Sequence, residues 1–160
     1  MESKESRFAR SYLDSPIGKL RLEENERGIT AVKVQEDTPM PPEEGGEGRY
    51  LKRLKEELGE YFAGRRQTFD LPLAPEGTPF QQKVWEALRE IPYGETRSYG
   101  QIAEAVGNPK AARAVGMANN KNRILILTPC HRVIGADGSL VGFGCGLEKK
   151  VFLLELESKR

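Results

Sequence analysis

Ser98-Tyr99-Gly100-Gln101-Ile102-Ala103-Glu104-Ala105-Val106-Gly107-Asn108-Pro109-Lys110-Ala111-Ala112-Arg113-Ala114-Val115-Gly116-Met117-Ala118 is the stretch that decides the fold of the C-terminal half. Tyr99, Ile102 and Ala103 mark a short helix over 98–105, closed by Val106-Gly107. Asn108 reads as the cap of a second helix with Pro109 at its first position, running through Ala111, Ala112, Ala114, Val115 and Ala118. Helix, short glycine-containing turn, helix is the pattern in which the second helix is offered to DNA. That helix carries Ala and Gly on its small side, which lets a partner backbone come close, and Lys110 and Arg113 suit a phosphate backbone. The pattern alone leaves two readings open, a DNA-facing helix and an Ala-rich core helix.

Upstream lies a strong helix start. Thr78 is an N-cap, Pro79 takes the first helical position and Gln81 completes a capping box. Phe80, Val84, Leu88 and Ile91 form one apolar face with Trp85 beside it, until Pro92-Tyr93-Gly94 ends the helix. Leu71 to Gly77, with two prolines and a glycine, reads as the linker before it.

The N-terminal half reads as β then α. Segments 7–13, 19–23 and 29–34 partly alternate in polarity, and turn signals at Asp14-Ser15-Pro16 and Asn25-Glu26-Arg27-Gly28 separate them into a small antiparallel sheet. An acidic Pro/Gly loop over 37–48 follows. Leu51, Leu54, Leu58 and Phe62 then repeat at helical spacing, with Gly64 as the C-terminal stop. The expected fold is α+β: a small N-terminal scaffold domain of antiparallel sheet plus helix (1–76), and a mainly helical C-terminal domain (77–160) with the helix-turn-helix.

Composition narrows the function classes. The 160 residues carry 25 basic and 24 acidic groups, one histidine and two cysteines. No apolar run reaches the ~18 residues of a membrane span, and the charged N-terminus is unlike a signal peptide. A cytoplasmic protein, or a nuclear one in a eukaryote, with reduced cysteines is expected. One histidine and two cysteines cannot complete a four-ligand Cys/His zinc site. The net charge of +1 hides a division: residues 1–80 are net −3 and 81–160 net +4. From 105 to 136 the chain holds Lys110, Arg113, Lys121, Arg123 and Arg132 and no acid. Such a stretch attracts polyanions even on a near-neutral molecule, although a merely solvated basic face fits the pattern too.

The chemistry concentrates downstream. Ile124 to Leu127 is a continuous apolar run expected as a buried strand, leading into Thr128-Pro129-Cys130-His131-Arg132-Val133. A thiolate is the nucleophilic form of cysteine, and a free thiol with pKa near ~8.5 needs a base or an electropositive setting at neutral pH. Neighbours on an extended chain point to opposite sides, so Cys130 and His131 need a turn at Pro129 before they share a proton. Residue pattern alone leaves a buried structural Cys-His pair as the alternative.

Together, Pro129-Cys130-His131-Arg132-Val133, Phe80-Gln81-x-x-Val84-Trp85, Ile91-Pro92-Tyr93-Gly94, Ser98-Tyr99 and Asn108-Pro109-Lys110-Ala111-Ala112-Arg113-Ala114-Val115-Gly116 closely resemble the O6-alkylguanine-DNA alkyltransferases. The resemblance runs nearly without gaps from Thr78 to Glu157. The N-terminal half matches only in layout, through Asp14-Ser15-Pro16-Ile17-Gly18.

The resemblance implies irreversible, single-use transfer of an alkyl group from O6 of guanine in double-stranded DNA to Cys130. His131 is then the base, acting through a water, and Glu157 the carboxylate that orients it. Tyr99 protonates N3 of the leaving guanine and crowds the 3′ phosphate. The target nucleotide is flipped out and Arg113 fills the gap. The recognition helix enters the minor groove through Lys110, Ala114, Gly116 and Ala118, with little sequence preference. Asn122 ties that helix to the active-site segment.

The base pocket is implied to lie between the carbonyls of Cys130 and Val133 and the loop 141–147. There the family's Gly-x-Tyr-Ser-Gly-Gly-like pattern becomes Gly142-Phe143-Gly144-Cys145-Gly146. Phe143 keeps an aromatic wall without a hydroxyl, and Gly144 keeps only its backbone donor. Cys145 stands near the active thiol, as a small hydrophobe or as a partner in an oxidative disulfide with Cys130. With neither Cys nor His before residue 130, no metal is expected; no cofactor is implied, and the protein is expected to be a monomer. Two rivals, a lesion-sensing relative and a plain helix-turn-helix protein, leave Cys130 without a role. A third, a cysteine hydrolase, requires multiple turnover.

Overall fold

The protein is described by a computed structural model covering residues 7–36, 39–140 and 146–158. The chain divides into two compact units, Met1–Glu76 and Gly77–Arg160.

In the first unit, β1 (Ala9–Ser15), β2 (Gly18–Asn25) and β3 (Gly28–Val34) form an antiparallel sheet in that order. Each hairpin closes on two residues, with Ser15 opposite Gly18 and Asn25 opposite Gly28. The Asn25 side chain accepts the backbone N–H of Arg27 at 2.8 Å, the local bond that makes Asn a turn former. Alternation along β2 turns Leu20, Leu22 and Glu24 inward. Helix α1 (Leu51–Phe62) packs on β1 and β2 through Leu51, Leu54, Leu58 and Tyr61, all buried. Each such side chain contributes roughly 1.5–3 kcal/mol of burial.

One inward residue is an acid. Glu24 accepts the backbone N–H groups of Arg49 (2.8 Å), Tyr50 (2.7 Å) and Leu51 (3.0 Å), and pairs with Arg7. Its carboxylate therefore caps α1 from a neighbouring strand, since Tyr50 at the cap position supplies no side-chain bond. Burial pushes the Glu24 carboxyl up, but these hydrogen bonds outweigh it and hold it below its usual range. Gly48 (φ +69°) makes room, because a Cβ there would lie 2.7 Å from that carboxylate. The stretch expected as a linker is partly built into this unit: Ile29 donates to Pro72 at 2.9 Å and Ala74 donates to Ile29 at 2.8 Å.

The second unit holds α2 (Pro79–Arg89), a two-residue strand β4 (Arg97–Ser98), α3 (Tyr99–Ala105), α4 (Ala112–Asn120), a 3-10 turn (Cys130–Arg132), β5 (Val133–Ile134) and α5 (Leu147–Ser158). Strands β4 and β5 pair in parallel. Capping boxes start both α2, through Thr78 and Gln81, and α3, through Ser98 and Gln101. Helix α2 packs on α3 and α4, burying Val84, Trp85 and Leu88 with Ile102, Ala103 and Val115, and the Trp85 indole donates to the Ala118 carbonyl at 3.0 Å.

Two expected elements take another form in this unit. The second helix of the pair starts at Ala112, not Pro109, and no side chain caps it. Asn108 instead ends α3: its N–H donates to Ala103 and that of Gly107 (φ +85°) to Glu104, the double bond of a left-handed glycine stop. A tight turn follows, with Ala111 donating to Asn108 at 2.9 Å. Likewise, 124–127 is buried but is no strand. Thr128 donates back to Ile124 at 3.1 Å, and Ile126 has φ +72°, a costly conformation for a β-branched residue. A continuous apolar run reports burial, and here the backbone is buried coiled rather than extended.

Candidate active site

The coiled segment ends at Pro129 (ψ 69°), and the chain enters the 3-10 turn that carries Cys130, His131 and Arg132. Arg132 N–H donates to Pro129 at 2.9 Å and closes the turn. All three side chains are buried.

Three side chains hold this turn from outside it. Asn122 donates to the Thr128 carbonyl at 2.7 Å and accepts from Ile124 N–H at 3.0 Å, spanning the coiled segment just beyond α4. Asn119 of α4 donates to the Cys130 carbonyl at 3.3 Å. Arg89, at the end of α2, donates to the Thr128 hydroxyl at 2.8 Å.

Helix α5 supplies the charged partners. His131 Nε2 lies 2.7 Å from Glu157 Oε2, both side chains essentially without solvent contact. Arg132 grips the same carboxylate with two bonds, Nε to Oε1 at 2.8 Å and Nη2 to Oε2 at 2.9 Å. Its third bond, Nη1 to the Ile91 carbonyl at 2.7 Å, reaches the chain beyond α2, and the guanidinium lies over the Tyr93 ring. Lys150 is fully buried and donates to the Val133 carbonyl at 2.7 Å.

Burial raises the Glu157 carboxyl, yet the bonds from His131 and Arg132 prevail and hold it far below the usual carboxylate range. Burial lowers the His131 imidazole; Glu157 opposes this, while Arg132 and Lys150 reinforce it. An ionised Glu157 accepting from a neutral imidazole assigns the proton to Nε2 and leaves a lone pair on Nδ1. That Nδ1 is buried and has no hydrogen-bond partner among the described residues. Burial and the charge of Cys130 push the Tyr99 hydroxyl up. Burial lowers Lys150, against the opposing pull of Cys130. Tyr99 and Lys150 thus share the electrostatic surroundings of the thiol. The site has a thiol, a neutral base and a fixed orienting carboxylate, the parts of an activated nucleophile.

The outer face of α4 carries the DNA-binding candidates. Arg113 and Ala114 are exposed, as is Lys110 in the turn before the helix, and Gly116 lies against Tyr99, with a Cβ there 3.7 Å from the ring. Ala118 does not belong with them. At 3% exposure it faces inward with Val115 and Asn119, because about 100° per residue carries it round to the buried side. Met117, 64% exposed, and Asn120 occupy the outer face instead. Arg132, counted in the basic stretch, is also withdrawn from that surface by its pairing with Glu157, whereas Lys110, Arg113, Lys121 and Arg123 stay exposed.

Phe143, Gly144 and Cys145, and with them the disulfide expected for Cys145, lie outside the described residues. The carbonyls of Cys130 and Val133, expected beside the base, each accept one bond within the protein. Sequence reasoning gave no role to Lys150, Asn119 or Arg89, and placed Arg132 in the basic stretch rather than in the active site. Only Arg132 carried a signal, its place in the Cys-His motif.

Two family models cover nearly the whole chain: the ribonuclease-like domain of 6-O-methylguanine DNA methyltransferase matches residues 9–75, and its DNA-binding domain residues 79–159. A methylated-DNA–protein-cysteine methyltransferase of Methanosarcina acetivorans is 51% identical over 92% of this chain and 96% of its own. A constitutive one from Bacillus subtilis is 51% identical over 90% and 92%. Among solved structures, Mycobacterium tuberculosis OGT in complex with DNA superposes with TM-score 0.83 at 49% identity, covering 92% of this chain and 91% of that one.

Proposed function

From the premise that the chain belongs to the 6-O-methylguanine DNA methyltransferase family, we propose that it repairs DNA by moving an alkyl group from O6 of guanine onto its own Cys130. The observation that carries this reading is the buried Cys130–His131–Glu157 arrangement, in which an ionised carboxylate fixes the imidazole and leaves Nδ1 as an acceptor.

The step balances as a displacement at the alkyl carbon. His131 takes the thiol proton at Nδ1, by way of a water, and the sulfur electron pair forms the S–C bond. The C–O6 bond breaks with its electrons going to the guanine. Tyr99 gives a proton to N3 of the departing guanine and regains one, through solvent, from the His131 imidazolium; exchange with water moves the guanine proton from N3 to N1, so the products are an S-alkyl cysteine and an unmodified guanine. Thioether formation consumes the nucleophile, so each molecule acts once.

DNA is the partner. Sterically, a thiol this buried reaches O6 only if the nucleotide leaves the stack, and the exposure of Arg113 on the outer face of α4 supports its filling the gap. Small residues at 114 and 116 suit close approach along the minor groove, and four exposed basic side chains supply phosphate contacts without reading sequence. The protein acts as a monomer where genomic DNA lies, in the cytoplasm of a prokaryote or the nucleus of a eukaryote.

Incubation with an O6-methylguanine duplex followed by intact-mass measurement tests the reading. One methyl group per protein is expected, absent in Cys130→Ala. Continued turnover without mass gain would instead make the protein a hydrolase.

A further inference from the structure

We propose that Arg132 is a positioning residue for the transfer step: by engaging both oxygens of Glu157 it keeps His131 a neutral imidazole with an unprotonated Nδ1. This rests on the alkyl-transfer reading above.

The geometry is specific. Glu157 accepts three bonds, from Arg132 Nε (2.8 Å), Arg132 Nη2 (2.9 Å) and His131 Nε2 (2.7 Å), with 1% of its side chain exposed. A planar fork matched to a carboxylate fixes both its position and its plane, which a single Lys contact does not. The Ile91 carbonyl and the Tyr93 ring hold the guanidinium from behind. Arg132 thus joins the reactive turn, α5 and the chain just beyond α2 at one point.

Charge explains why the fork matters to the base. The groups around His131 are Glu157 and Lys150 of α5, with Arg132 and Cys130 on its own turn; Tyr99 of α3 shares the surroundings of Cys130. Glu157 alone, as a buried anion 2.7 Å from the ring, would favour imidazolium, and an imidazolium cannot accept the thiol proton. Arg132 neutralises that anion, so Glu157 orients the ring without charging it.

The single histidine makes the test clean, since imidazole nitrogen resonances of isotope-labelled protein report His131 alone. Wild type, Arg132→Gln and Arg132→Lys are titrated before alkylation, and their single-turnover transfer from O6-methylguanine DNA is timed from about pH 6 to about pH 9. In Arg132→Gln, His131 Nδ1 is expected to protonate at a pH higher by about one unit or more. Transfer should fall about tenfold or more at the acid end and recover in part at the alkaline end. Arg132→Lys, which keeps the charge but not the fork, should lie between. Slow transfer at every pH with His131 protonation unchanged would overturn the proposal and leave Arg132 a structural residue, as would protonation of Glu157 in place of His131. If Arg132→Gln does not fold, Arg132→Lys decides between the same outcomes. Failure of the wild-type protein to take up the methyl group would sink the transfer reading instead, and the resonance titration does not depend on it.

Discussion

Glu24 and Leu51 are separated by 26 intervening residues, yet the Glu24 carboxylate accepts the Leu51 N–H at 3.0 Å and so fastens the start of α1 to the sheet. The same carboxylate serves Arg49 and Tyr50. A strand residue at an inward position thereby does the work usually given to a helix's own N-cap.

Removing it should loosen the whole first unit. Glu24→Ala leaves the N–H groups of Arg49, Tyr50 and Leu51, at the start of α1, without their acceptor and is expected to cost about 2–3 kcal/mol. Gly48→Ala, which forces a Cβ against the carboxylate at positive φ, should act in the same direction. Chemical denaturation measures both; a change below about 0.5 kcal/mol in each would show that the cap is dispensable.

Acid should destabilise the protein in two stages. His131 is held below its usual 6.5, so the unfolded chain binds a proton that the folded one refuses, and stability falls as pH drops through about 6.5. Glu157 and Glu24 are held below their usual 4.5, so the unfolded carboxylates protonate first and more stability is lost below that pH. Unfolding free energies at a series of pH values should therefore decline from neutrality downward, and a flat profile to about pH 4 would contradict the assignment.

Arg113→Ala should slow repair of duplex DNA by about tenfold or more, because loss of ~1.4 kcal/mol from the flipped state is a factor of ten. Attack on free O6-benzylguanine, which needs no flipping, should change little. Equal losses on both substrates would place Arg113 in the chemistry rather than in the DNA.

Asn122 holds the coiled segment by one donated and one accepted bond. Asn122→Ala should lower stability by about 1–3 kcal/mol and slow transfer as Cys130 loses its placement. Asn122→Asp keeps the bond from Ile124 N–H and should fall between. Wild-type transfer rates in Asn122→Ala would show that Asn119 and Arg89 hold the turn without it.

Much of this was legible where the cause is local. Thr78-Pro79 and Gln81 specify their cap within four residues, and Asn25-Glu26-Arg27-Gly28 specifies its hairpin. The Ile124–Leu127 segment is not legible in this way, because buried strands and buried coils share the same apolar composition. Asn108 has the side chain of a helix opener yet closes one, since the bond that decides runs backward to Ala103. Ala118 shares the small side chain of Ala114 and Gly116, and composition does not say which face of a helix a residue occupies; its burial beside Val115 and Asn119 does.

By itself the sequence determined the sheet, the helices with local caps, the Cys130-His131 pair and the basic character of the DNA-facing half, all set by neighbours in the chain. Only the tertiary structure decided that Glu24 caps a distant helix, that Arg132 leaves the basic surface to clamp Glu157, and that Lys150 is buried against Val133. Those are choices among charges with many partners available along the chain. Burial removes water as the alternative partner, and the charge then takes the one carboxylate or carbonyl that folding brings within reach.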